Sequence, residues 1–362
     1  RQSDEDIEMA EPTGDVREDI GEEWQLAHQG LSTLAKVARL FPETLTDFNK
    51  ISWTTVFSLM NYPHTWVRIA ATRFQGALFA AVPVAAPSPD VPPDHPLSLA
   101  SMVEQVKLLC SQLRSENIDA PFGLQIVKNL FYIGRCFYLY EGTSQAGATF
   151  EVEDEPEMEE AEEEEAWEGV GNSDAEDTNG DLKDSFSVPQ PEGGTPLGWM
   201  FSYLSRGAKI AMHERQIAPE PKSNWTERPA SIVRWFAAMV SQMNADSIEK
   251  YLPQMIAALH RMVSATKLRD DPQYGELKTL TLELQQLLQE KVGGTKYSYF
   301  YSEAQQAFGQ AKEDRKEKET EKANPAAFAK RRHQRELVKR QGKKRKAAAA
   351  LKGRDHKKYR AW

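Results

Sequence analysis

Two cysteines in 362 residues, Cys110 and Cys136, are too few for a disulfide framework or a zinc knuckle. Each sits inside an apolar helical pattern, so both are expected to be buried thiols in a reducing compartment. Apolar runs are short as well. None reaches the ~18 residues needed to cross a bilayer, and no membrane partner is expected. A basic-then-apolar leader is missing too, since the N-terminal stretch "SDEDIEMAEPTGDVREDIGEE" is acidic. The chain starts at Arg1 without an initiator methionine and reads as a piece of a longer, intracellular, soluble polypeptide.

Catalytic signatures are equally scarce. His28, His64, His95, His213, His260, His333 and His356 are scattered without an i, i+4 pair, and "HERQI" (213–217) lacks the second histidine of a zinc-protease helix. "GVGNSD" (169–174) has two glycines and no strand before it. No Gly-x-x-x-x-Gly-Lys-Ser/Thr run and no serine flanked by glycines occurs. These absences predict a protein that is not an enzyme, with no cofactor, metal or small-molecule substrate.

What the chain does have is helical periodicity. In "LASMVEQVKLLCSQL", Leu99, Met102, Val103, Val106, Leu109, Cys110 and Leu113 fall on one 3.6-residue stripe. "DAPFGLQIVKNLFYIGRCFYLYEG" opens on Asp119 as N-cap near Pro121 and stops at Gly142; its apolar residues run most of the way round, as in a helix covered on several sides. The Pro-rich "PVAAPSPDVPPDHP" (83–96) must be a loop. Further helices are expected in "TPLGWMFSYLSRGAKIAM", "RPASIVRWFAAMVSQM", "SIEKYLPQMIAALHRMV" and "ELKTLTLELQQLLQEK", the last ending at Gly293-Gly294. One more follows from Thr295, and no stretch reads as a β-strand.

Helix–turn–helix units in succession are the mark of an α-solenoid. The clearest spans 44–82: an amphipathic helix ending near Asn61, the turn "YPHT", then a second helix opened by Trp66-Val67-Arg68. Its expected stripe is Trp66, Ile69, Ala70, Phe74, Ala77, Leu78 and Ala81. This unit resembles a HEAT repeat. Trp66 and Arg68 could contact a partner, or could serve the repeat's own turn, the reading that the position favours.

Charge is sharply segregated. Residues 151–181 hold sixteen acids and no Lys or Arg. Such a stretch repels itself, cannot bury enough apolar surface to fold, and lacks the glycine punctuation of a calcium loop. Residues 322–362 hold sixteen Lys or Arg against Glu336 and Asp355, a net +14, so the whole-chain −9 leaves −23 for everything before them. The expected layout is an all-α, HEAT-like α-solenoid interrupted by acid and ended by base. It comprises an acidic disordered lead-in (1–22), helical repeats (23–142), an acidic disordered insertion (143–194), further repeats (195–311), and a charged helix with a basic tail (312–362).

Within the tail, "NPAAFAKRRHQRELVKRQGKKRK" begins with Asn324 as cap and Pro325 at the first helical position, and Gly342 is a natural stop. Arg331, Arg335 and Lys339 repeat at i+4, and Arg332 and Arg340 widen the charge around the cylinder. The expected RNA-binding set is Lys330, Arg331, Arg332, Arg335, Lys339, Arg340, Lys343, Lys344, Arg345 and Lys346, because clustered cations gain entropy by releasing a polyanion's counterions. Aromatics are few here (Phe328, Tyr359, Trp362), so backbone and shape should be recognised more than sequence. The rival reading is a two-part nuclear import signal, Lys330–Arg332 and Lys343–Lys346, on a transport or adaptor solenoid. A third possibility is that the acidic insertion folds back on the tail when RNA is absent.

"HTWVRIAATRFQG", "RWFAAMVSQMNADSIEKYLPQMIAALHRMV" and the ending "NPAAFAKRRHQRELVKRQGKKRK", taken in order, resemble the C-terminal region of the Utp-twenty, or down-regulated-in-metastasis, family. The resemblance implies a HEAT-repeat, non-catalytic nucleolar scaffold of the small-subunit processome. Its implied partners are the U-three small nucleolar RNA, pre-ribosomal RNA and processome proteins, and its role is early assembly of the small ribosomal subunit. It implies no catalytic residues; the family's basic C-terminus corresponds to Lys330–Lys346.

Overall fold

The computed structural model describes residues 23–48, 50–88, 90–115, 118–143, 194–218, 224–265, 268 and 271–323. Regular structure among them is entirely helical. The helices are α1 (Glu23–Leu40), α2 (Glu43–Thr46), α3 (Trp53–Leu59), α4 (Thr65–Ala81), α5 (Leu99–Gln112), α6 (Ala120–Glu141), α7 (Pro196–Ile217), α8 (Glu227–Gln242), α9 (Ala245–Val263), α10 (Pro272–Val292) and α11 (Gly294–Ala323). The lead-in, the insertion and the tail expected from the sequence lie outside the described residues. The chain divides into two units, Arg1–Ala161 with Val188–Tyr301, and Glu162–Ser187 with Ser302–Trp362. The described part of the second is α11 from Ser302 onward.

Local chemistry sets most of these boundaries. Side-chain oxygens of Asp119, Thr195 and Asn244 accept from the backbone N–H three residues on, at 2.8, 3.1 and 2.8 Å, capping α6, α7 and α9. Pro121, Pro196 and Pro272 occupy first turns, where a missing N–H costs nothing. Gly293 ends α10 with φ +95°, a left-handed conformation that a side chain would strain.

In the first unit the helices form two layers. α1, α4, α6, α8 and α10 lie side by side in one; α5, α7 and α9 form the other, and α3–α4, α5–α6, α7–α8 and α9–α10 pair across. An α6 wedged between α4, α5, α7 and α8 explains why its apolar residues run most of the way round. Gly123 and Gly134 let α8 come close: a Cβ at Gly134 would stand 3.0 Å from Trp235 and from Met239. Phe201 on α7 centres the second half of the core, with ring centroids 4.9 Å from both Trp235 and Tyr251.

Two expectations need correcting. The first helix of the 44–82 unit is broken into α2 and α3, with a turn from Asp47 to Lys50 (N–H to Asp47 O, 3.0 Å) between them. Asp47 and Ser52 are residues whose side chains compete with helical hydrogen bonds. On α4 the buried face is Val67, Ala70, Ala71, Phe74, Leu78 and Phe79, whereas Trp66, Ile69, Ala77 and Ala81 are only half-buried.

Inside the first half runs a relay of buried amides. Asn129 on α6 donates to Gln75 Oε1 and to the Thr72 carbonyl, each at 2.9 Å. Gln75 on α4 donates to Gln105 on α5 at 2.7 Å, and Gln105 to the Pro96 carbonyl at 2.7 Å. Beside it Thr72 Oγ1 donates to Gln112 Oε1 (2.7 Å), and Gln112 to the Met60 carbonyl (2.9 Å).

A second polar clasp closes the base of the acidic insertion. The buried Tyr251 hydroxyl on α9 donates to the Glu141 carboxylate at 2.6 Å and lies 3.3 Å from Thr195 Oγ1. Glu141 ends α6 and Thr195 caps α7, so both ends of the insertion meet on one phenol.

Asn129→Leu should lower stability by about 1–3 kcal/mol in urea unfolding, because the Thr72 carbonyl and Gln75 lose buried partners. Lys128→Gln, one residue away on the exposed side, should stay within about 0.5 kcal/mol. Replacing residues 144–193 with about ten Gly/Ser residues should leave the urea midpoint equal or slightly higher, since each halving of a loop returns about 0.6 kcal/mol of closure entropy. Tyr251→Phe should instead lower it, by about 1.5–3 kcal/mol.

Candidate nucleic-acid interface

All ten residues expected to bind RNA, Lys330 to Lys346, lie outside the described residues. The described fold carries a different cationic feature. An open cleft of 1660 Å³ lies along α4, between α1 and α6. Its floor comes from the outward side of α4, where Ala77, Ala80 and Ala81 keep the helix thin; flanking side chains rise on either side, and Gln125 of α6 packs over Gly76. This is why the apolar stripe expected on α4 is only partly core.

Five exposed cations stand around the cleft: Lys36 and Arg39 on α1, Arg73 on α4, and Lys128 and Arg135 on α6. None of the five takes part in an ion pair among the described residues. The Arg135 guanidinium lies over the Phe131 ring, 5.8 Å from its centroid. Among the described residues one carboxylate lines the cleft, Asp119, and it is engaged in capping α6. Arg68 is already committed: Nη1 donates to the Tyr62 and Pro63 carbonyls at 3.0 and 2.7 Å, and Nη2 to Thr65 and Ser115 hydroxyls. It locks the α3–α4 turn and ties it to the end of α5, so of the two sequence-level roles Arg68 takes the structural one. Trp66 stays half-buried on the cleft wall, with the His28 ring edge-on at 5.6 Å.

Histidines link α1 to this wall. His64 stacks on Trp24 with centroids 3.8 Å apart, and its Nδ1 accepts from the Trp66 N–H at 3.3 Å, capping α4. That bond requires the unprotonated nitrogen. Burial, and then the charge of Arg73, lowers the pKa of His28; burial, then Arg68 and His28, lowers that of His64. Both rings are therefore neutral at pH 7. Elsewhere the chemistry is quiet. Burial pushes the free thiols of Cys110 and Cys136 up to about 12 and about 11, so they are inert. Among the described residues no group of three His, Cys, Asp or Glu side chains is placed to hold a metal, and no helix is long and apolar enough to cross a membrane.

Lowered histidine pKa values mean that the unfolded chain takes up protons first. Their contribution to stability is complete above the ordinary value of 6.5 and is lost as pH falls below it. The melting temperature should therefore drop between about pH 7.5 and 5.5. His64→Asn, which keeps a capping oxygen, should be less acid-sensitive; His64→Ala should cost about 1 kcal/mol at pH 7.5.

Comparison with known proteins bears on the second half of the chain most directly. Residues 197–349 match the family described as "Small subunit processome component 20 homolog, C-terminal". This range runs from α7 through α11 and takes in Lys330–Lys346. The chain is also 23% identical over 305 residues to "U3 small nucleolar RNA-associated protein 20" of Schizosaccharomyces pombe. The match covers 83% of this chain and 10% of that protein, so the chain spans about a tenth of the relative's length. The resemblance read from the sequence is borne out as a similarity: residues 197–349 match the C-terminal model of that family.

Proposed function

We propose that this chain is a HEAT-like α-solenoid segment of a nucleolar scaffold in the small-subunit processome. It supports ribosomal RNA processing and small-subunit assembly without catalysis. The observation that carries the reading is the family match over 197–349, which joins the layered helices α7–α10 and the basic segment in one region. The helices supply protein-contacting surface, and Lys330, Arg331, Arg332, Arg335, Lys339, Arg340, Lys343, Lys344, Arg345 and Lys346 hold the phosphate backbone of pre-ribosomal or small nucleolar RNA. The two-layer packing of the first unit supports the HEAT-like reading.

The spacing of Lys330–Arg332 and Lys343–Lys346 favours one alternative, a tail that serves only nuclear import. Changing the ten basic residues to Gln in the full chain separates the two. Under the RNA reading, affinity for single-stranded RNA drops and the log–log salt slope flattens by about 0.7 per lost phosphate contact. Under the import reading, RNA affinity is unchanged, and a foreign import signal restores pre-ribosomal RNA processing in cells.

A further inference from the structure

We propose that the cleft between α1 and α6 is a second RNA site, a phosphate-backbone groove for a single strand that works separately from the basic tail. The −23 ahead of the tail comes from residues 1–22 and 144–193, and residues 23–143 with 194–321 sum to +1, so a cleft ringed by five cations stands out on a nearly neutral fold. Here five cations from three helices face one cleft, none of them in an ion pair among the described residues, and Asp119 is held by its cap. Cations gathered in this way repel one another; a polyanion relieves that and releases its own counterions.

The shape selects the kind of polyanion. At 1660 Å³ the cleft exceeds the ~300–1,000 Å³ of small-ligand pockets and is partly open to solvent, which suits an extended chain. Neighbouring helices pack ~8–10 Å apart, which sets α1 and α6 ~16–20 Å apart across α4. Helix diameters of ~10–12 Å then leave less than ~10 Å of free width, enough for one strand and too little for a duplex. Lys128 and Arg135 lie seven residues apart on α6, about two turns or ~10 Å along the groove. The floor of Ala77, Ala80 and Ala81 lets a backbone come down onto α4.

Stacking surfaces separate a nucleic acid from an acidic peptide. The Arg135–Phe131 pair presents a cationic plane at one wall, and Trp66 lies at the other. Flat π-surfaces beside cations suit unstacked bases of any sequence; a run of carboxylates would use only the charge. The choice of RNA over DNA rests on the function proposed above; the groove itself stands on the geometry.

The test uses the full chain and a labelled single-stranded RNA of about 20 nucleotides, titrated between about 50 and 300 mM salt. The variant Lys36→Gln/Arg39→Gln/Arg73→Gln/Lys128→Gln/Arg135→Gln should bind on the order of 100-fold more weakly near 100 mM salt. Its log–log slope should be shallower by about 2–3.5. Arg206→Gln/Lys250→Gln/Lys291→Gln, which removes exposed cations from other helices, should leave both values unchanged. If circular dichroism shows the fivefold variant unfolded, Lys128→Gln/Arg135→Gln on the exposed side of α6 serves instead, with an expected slope change of about 1.4. Ultraviolet crosslinks should map to Trp66 or Phe131. Wild-type binding and slope in the cleft variants, or crosslinks confined to 324–362, would overturn the groove. So would a poly-glutamate peptide displacing cleft-bound RNA as efficiently as unlabelled RNA does, which would make the occupant an acidic protein segment. The tail variant described above, measured alongside, shows which of the two sites fails if only one does.

Discussion

The first half of the fold depends on buried amides finding one another across three helices. Asn129, Gln75 and Gln105 pass the requirement on, from α6 through α4 to α5 and the Pro96 carbonyl, with Asn129 also donating to the Thr72 carbonyl and Gln105 to the Ser101 hydroxyl. A buried amide without a partner costs more than a made hydrogen bond contributes, so the relay is stable only when complete. Apolar contacts would tolerate sliding between the layers. The amides do not, and they hold α4 at the height where its small outward residues form a trough.

That trough shows how one helix serves two ends. α4 buries Val67, Ala71, Phe74 and Leu78 on its inner side, and turns Ala77, Ala80 and Ala81 to the cleft. Placing the cations on the longer flanking helices and leaving the centre small separates packing from charge. The same division holds along the chain, whose acids are concentrated in 151–181 and whose densest bases lie beyond 330. Net charge is a poor guide to such a molecule, because its two signs are kept apart.

The helices were largely legible in the sequence because their signals are local. Asp119 with Pro121 announced α6 and Gly142 its end, and the Leu99–Leu113 stripe is buried as its period required, Leu99 only partly. Three features were not legible. Asp271 and Pro272 start α10 before its apolar stripe begins, so periodicity alone began the helix late. The stripe on α4 mixed core with cleft floor, since a period marks apolar positions and not what covers them. The cleft itself draws Lys36, Arg73 and Arg135 from distant parts of the chain; each is an ordinary surface cation until the layers are stacked.

The phenol of Tyr251 has a consequence for how this chain can vary. Because Glu141 and Thr195 converge on it, the scaffold closes like a buckle behind the acidic segment, and helix order on either side is indifferent to what hangs from it. A change of length or composition in that segment should leave the stacked layers in register.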